Sequence, residues 1–175
     1  GMNLAMRHIS LSTFGLVDRI YYLAVENLQL TLSVSLHAPN NAIRSRTMPV
    51  NRKYPIEELL KACRYYAGRT GRRISFEYAM IDGVNDSDGC AKELAARLKG
   101  MLCHVNLIPV NPVREAGYQK SGRERQQAFI RVLERAGITA TVRRTLGADI
   151  NASCGQLRRK HLKEGGSVNA ICRTD

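Results

Sequence analysis

Leu30-Thr-Leu-Ser-Val-Ser-Leu-His-Ala-Pro-Asn40 alternates without a break. Leu30, Leu32, Val34 and Leu36 fall on one side, and Thr31, Ser33 and Ser35 on the other. That twofold period is the signature of a β-strand. One face is aliphatic and fit to pack under helices. The other is small, hydroxylic and uncharged. The strand then delivers Ser35, Leu36 and His37 to the point where Ala38-Pro39 breaks it. In parallel α/β sheets and barrels, ligands bind at that carboxyl end.

The same phase recurs in three other stretches. Ser10 and Ser12 oppose Ile9 and Leu11; Ser75 and Glu77 oppose Ile74, Phe76 and Tyr78; His104 and Asn106 oppose Val105 and Leu107. A fifth strand is expected over 139–144. Helical spacing fills the gaps: Ile20, Leu23 and Ala24; Ile56, Leu59, Leu60, Cys63 and Ala67; Ala91, Leu94, Ala95 and Leu98. Pro55 suits a first helical position, and Ser121-Gly-Arg-Glu124 has the form of a capping box. The order β-α-β-α-β-α-β-α-β demands a mainly parallel sheet with right-handed crossovers.

A doubly wound sheet buries both faces, so its strands should be apolar on both. These are apolar on one. The pattern therefore predicts an α/β fold, a complete or partial (β/α) barrel whose helices cover the outer face and whose lumen holds a polar ligand. Solvation of edge strands is the competing explanation. The ligand would face Ser12, Ser35, His37, Glu77, Asn106 and the turn at 109–111. His37 suits either a general base or a hydrogen-bond donor. Glu77 needs a partner in such a lumen, either an amine or ribose of a ligand or an arginine such as Arg143.

The 175 residues suit a single domain, 1–175, with a tail over 158–175 of little expected order. Lys and Arg total 27 against 15 Asp and Glu, a net charge of +12, which favours a phosphate-rich partner. No apolar run is long enough to cross a bilayer, and no secretory signal is apparent, so the cytoplasm is the expected compartment. Cys63, Cys90, Cys103, Cys154 and Cys172 include no C-x-x-C pair, so the chain has no metal site of its own in view. Cys63 falls on a buried helical stripe. Cys154 lies in a loop beside Arg158 and Arg159, whose charge would lower its pKa. A thiol hydrolase pairing Cys154 with His37 has no nucleophile elbow to support it.

Five ordered motifs add a resemblance. Ser35-Leu-His-Ala-Pro-Asn40, Phe76-Glu-Tyr with Ile81-Asp-Gly-Val-Asn-Asp86, Cys103-His-Val-Asn-Leu-Ile-Pro109 with Asn111-Pro112, Val142-Arg-Arg-Thr, and Asp149-Ile with Cys154-Gly-Gln-Leu157 occur together. Over residues 7–157 the chain resembles the C-terminal half of radical S-adenosylmethionine RNA methyltransferases of the RlmN type and their relative Cfr. The resemblance implies methylation of adenine carbon in 23S rRNA and tRNA. It also implies two molecules of S-adenosylmethionine, one methylating a cysteine and the other cleaved at a [4Fe–4S] cluster. It places the methyl-carrying cysteine at Cys154 and cofactor contacts at Ser12, Ser35, Leu36, His37 and Asn111. The family's C-x-x-x-C-x-x-C and Gly-Glu-Pro motifs are absent from these 175 residues. The expectation is a half-barrel that keeps part of the S-adenosylmethionine site and the methyl-carrying cysteine but is inactive alone. It would self-associate through an exposed strand at 7–12. The alternative is a non-catalytic basic RNA-binding module.

Overall fold

The computed structural model describes residues 8–26, 28–110 and 117–143. Five strands form one sheet in the order β1-β2-β3-β4-β5, every neighbour parallel. They are β1 (Ser10–Thr13), β2 (Thr31–Ser35), β3 (Ile74–Met80), β4 (Cys103–Pro109) and β5 (Thr139–Val142). Between them run α1 (Val17–Val25), α2 (Asn41–Thr47), α3 (Ile56–Thr70), α4 (Asp88–Leu98) and α5 (Arg123–Arg135). A 3-10 turn, Pro49–Arg52, joins α2 to α3. Among the described residues no helix is long and apolar enough to cross a membrane.

Strand order and burial together explain the one-sided phase. Neighbours in sequence are neighbours in space, and the order never reverses. Successive crossovers of one hand then stack every helix on the same side. On that side Leu32, Val34, Ile74, Phe76, Tyr78, Val105 and Leu107 are all buried, packed with Ile20, Leu59, Leu94 and Phe129 from the helices. The register puts Ser12, Ser33, Ser75, His104 and Thr139 in one row across the opposite face. Ser35, Glu77, Asn106 and Thr141 make the next row towards the carboxyl ends. The polar face expected from the alternation is thus continuous over the sheet.

Helix ends follow local chemistry. The Asn40 and Ser87 side chains accept hydrogen bonds from the N–H groups of Ile43 and Cys90, capping α2 and α4. Gly71 and Gly137 take positive φ just beyond α3 and α5. Two expectations fail. Pro55 is the residue before the first turn of α3, in an extended conformation, rather than its first helical residue. The capping box at 121–124 does not form: Gly122 is the N-cap, and the buried Ser121 hydroxyl donates instead to Asp86 Oδ2. Donation to the Asp86 carboxylate is charge-assisted, and it holds Ser121 against the β3–α4 loop instead of over the N–H groups at the start of α5. The first strand is also shorter than expected, beginning at Ser10.

Candidate functional site

The carboxyl end of β2 turns sharply at His37, whose φ of +56° is the only positive value among non-glycine residues described. Histidine tolerates this left-handed region better than most side chains. The turn is held by its neighbour strand: the N–H groups of Leu36 and His37 both donate to Glu77 O, at 3.0 and 3.2 Å. Ala79 N–H donates to His37 Nδ1 at 2.9 Å. That bond makes Nδ1 the acceptor and leaves the proton on Nε2. Burial pushes the imidazole down to about 4, with the Arg44 guanidinium adding to the shift. His37 is therefore neutral near pH 7 and offers an Nε2–H donor; of the two roles open to it, the structure favours donor over base.

Behind the turn lies Arg44, fully buried on α2. Its Nε donates to Leu36 O at 3.3 Å, and its Nη2 to Ser35 O at 3.3 Å and Phe14 O at 2.9 Å. Its Nη1 donates to Asn51 Oδ1 at 3.0 Å. Burial lowers its pKa to about 10. One guanidinium so ties the loop after β1 to the end of β2. It also explains Gly15, with φ +97°: a Cβ there would lie 3.1 Å from Arg44 Nη2 and 3.0 Å from Leu59.

Asn85 closes the other side. Its side chain donates to His37 O at 2.8 Å and Ala79 O at 2.7 Å, and accepts from Ile81 N–H at 2.8 Å. Its backbone oxygen accepts from the Tyr78 hydroxyl. Arg44 and Asn85 were not legible as site residues. Asn85 sits in an Asp-Gly-Val-Asn-Asp run that reads as turn chemistry, and Arg44 in a short stretch with Arg46. The one available signal was the spacing of Arg44 four residues before the apolar Met48; both are buried, Arg44 on α2 and Met48 at its C-cap.

On the lumen face, Glu77 Oε1 accepts from Ser33 Oγ at 3.4 Å and Ser75 Oγ at 3.3 Å; Oε2 accepts from Asn106 Nδ2 at 2.9 Å. Hydroxyls and an amide are thus its partners. The pairing with Arg143 does not occur among the described ion pairs. His104 Nε2 lies 2.9 Å from Thr141 Oγ1, and burial lowers its pKa. Ser35 is half-buried at the lumen mouth; Ser12, exposed, sits one residue pair lower on the same face. Leu36 points into the core, so it offers backbone only. Asn111 and Cys154 lie outside the described residues, as does the tail.

The donor set suits a nucleoside: hydroxyls, an imidazole N–H and a carboxylate line one polar face. It does not suit a metal cluster. Among the described residues no group of three His, Cys, Asp or Glu could hold a metal ion. Cys63 and Cys103 are on the helix-covered side, where burial raises their thiols to about 12 and about 11. Native protein treated with maleimide at about pH 7 will label Cys90 well before Cys63 or Cys103, because only thiolate reacts; peptide mass mapping reads the order.

No family model matches the chain. Individual relatives do. It is 61% identical over 165 residues to a protein of Caldanaerobacter subterraneus named probable dual-specificity RNA methyltransferase RlmN, covering 94% of this chain and 48% of that protein. A protein of the same name from Alkaliphilus oremlandii is 60% identical over 163 residues, with 93% and 48% covered. The chain spans about half the length of these relatives. A crystal structure of a radical SAM methyltransferase from Sphaerobacter thermophilus superposes with a TM-score of 0.84 at 56% identity, over 89% of this chain and 46% of that one. A domain of pyruvate-formate lyase-activating enzyme from Bacteroides vulgatus, 21% identical with a TM-score of 0.61, shares the fold. With its ordered motifs, its one-sided parallel sheet and this degree of identity, the chain matches the C-terminal half of RlmN-type radical SAM methyltransferases.

Proposed function

We propose that this chain carries the nucleoside-holding part of a radical S-adenosylmethionine methyltransferase acting on adenine in 23S rRNA or tRNA in the cytoplasm. The observation that carries this reading is the turn at Ser35–His37, held so that a neutral imidazole N–H and a serine hydroxyl stand at the carboxyl end of β2. Ser12, Ser35, His37 and Asn111 would hold S-adenosylmethionine, with Leu36 contributing its backbone. Glu77, whose carboxylate accepts from Ser33, Ser75 and Asn106, would accept from the ribose or attract the ammonium group. When bound, S-adenosylmethionine supplies the methyl group, and Cys154 is the thiol proposed to carry it to the base. The net charge of +12 supports RNA as the partner.

The described residues offer no cluster site, and the 175 residues contain no C-x-x-x-C-x-x-C run. We therefore read the chain as unable to transfer methyl groups alone. Among the described residues β1 has a neighbour on one side only, and Ile9 and Leu11 are each 43% exposed, which supports self-association through this edge. The second reading, a non-catalytic RNA-binding module, rests on the charge alone.

Calorimetric titration of S-adenosylmethionine separates the two. Binding, even at millimolar strength, that disappears on Ser35→Ala or Asn111→Ala is the expected result. A folded protein that binds RNA but no S-adenosylmethionine would leave only the basic module.

A further inference from the structure

The three carbonyls of Ser35, Leu36 and His37 have one property in common: each accepts from a buried side chain outside the turn. Arg44 Nη2 donates to Ser35 O, Arg44 Nε to Leu36 O and Asn85 Nδ2 to His37 O. The N–H groups of Leu36 and His37 go to Glu77 O. The Leu36 and His37 N–H groups are thus committed internally, each carbonyl is held by one internal donor, and the side-chain groups that a ligand meets are Ser35 Oγ and His37 Nε2–H.

We infer that Arg44 and Asn85 are positioning residues for the S-adenosylmethionine site, acting as a two-sided clamp that fixes the Ser35–His37 turn and the aim of the His37 ring. The inference rests on the cofactor reading given above. Arg44 reaches in from the helix after β2, Asn85 from the loop after β3. Neither has capacity left for a ligand. The Asn85 amide makes three bonds, and its residue is fully buried. The five Arg44 N–H groups have five acceptors, four at 3.3 Å or less and Tyr54 O at 3.5 Å from Nη1.

The clamp matters because the turn is strained. Left to itself, a histidine at φ +56° relaxes to the ordinary negative region, and its ring swings with the backbone. Asn85 also holds Ala79 O, on the residue whose N–H fixes the His37 tautomer. Releasing Asn85 loosens both ends of the imidazole contact. Arg44 further reaches Phe14 O, so the same group sets the distance from the end of β1, near Ser12, to the end of β2.

The test uses the whole chain with 15N-labelled histidine and the variants Asn85→Asp and Arg44→Lys. Aspartate keeps the size and the acceptor but has no donor for His37 O or Ala79 O. Lysine keeps the charge but cannot span separate carbonyls from a planar fork. Wild type should show a single His37 tautomer, Nε2–H with Nδ1 unprotonated, in long-range 1H–15N spectra at pH 7. Each variant should bind S-adenosylmethionine at least tenfold more weakly, and Asn85→Asp should shift the His37 ring nitrogens towards a mixture of tautomers. A purely structural role would lower the melting point and leave ring signals and affinity alone at temperatures where the variant is folded.

Folded variants with affinity within twofold of wild type and an unmoved His37 ring would overturn the inference. Should both variants fail to fold, Asn51→Ala, which removes one acceptor of Arg44, should still weaken binding about threefold; unchanged affinity there also overturns it. Should wild type bind no S-adenosylmethionine, the cofactor reading falls, while the ring signals still decide whether the clamp aims His37.

Discussion

Replacing Arg44 by methionine will lower the stability of the fold by about 3 kcal/mol, the net of two opposed effects. Removing the cation relieves a real burden: burial has brought its pKa from 12.5 to about 10, so the charged form is disfavoured in the fold by about 3 kcal/mol. Burial alone would make methionine an improvement, as apolar replacements of buried ionic groups can be. But Arg44 has no carboxylate partner here. Its partners are Phe14 O, Ser35 O, Leu36 O and Asn51 Oδ1. Methionine leaves these acceptors facing a thioether, at about 1–3 kcal/mol for each that is orphaned. Four such losses exceed the relief. Urea unfolding should show the midpoint fall with an unchanged slope. An equal or higher midpoint would mean that water satisfies the carbonyls and that the guanidinium is dispensable to the fold.

This balance illustrates what the sequence could and could not disclose. Alternation in β2, β3 and β4 made the fold legible because the side-chain period is a local property. The inference to one-sided helices followed because hydroxyls and a carboxylate on the second face forbid a second helical layer. Ser12, Ser35 and Asn106 were placed on the polar face by the same count. The failures have a different origin. Ser121 matched a capping box, yet Asp86, far away in sequence, took its hydroxyl. Glu77 called for an amine or ribose of a ligand or for an arginine, yet Ser33, Ser75 and Asn106 on three strands already meet it at once. Arg44 and Asn85 gained their roles from carbonyls contributed by other segments. Backbone acceptors carry no side-chain signature, so no motif announces a residue that serves them.

Acidification tests the site from the other direction. The His37 imidazole titrates near 4 in the fold and near 6.5 when unfolded. Between those values the unfolded chain binds the extra proton and the folded chain does not. Stability therefore rises with pH across this window. It is complete above about pH 6.5 and falls by about 3 kcal/mol by about pH 4, where the loss levels off. His104, lowered in the same direction by burial, adds to the slope with the same sign. The substitution that isolates His37 is asparagine, which tolerates positive φ and can still accept from Ala79 N–H without titrating. His37→Asn should flatten the pH dependence of the urea midpoint between about 6.5 and 4 by most of that amount, leaving the His104 part. Thermodynamics and ligand binding are joined at this point, because protonation requires Nδ1 to give up the Ala79 N–H bond that aims the ring. S-adenosylmethionine affinity in wild type should then hold until the pH nears about 4 and fall as it drops through that value, where the folded imidazole takes its proton. An equally steep acid limb in His37→Asn would assign the titration to another group and remove the argument that His37 is held neutral to act as a donor.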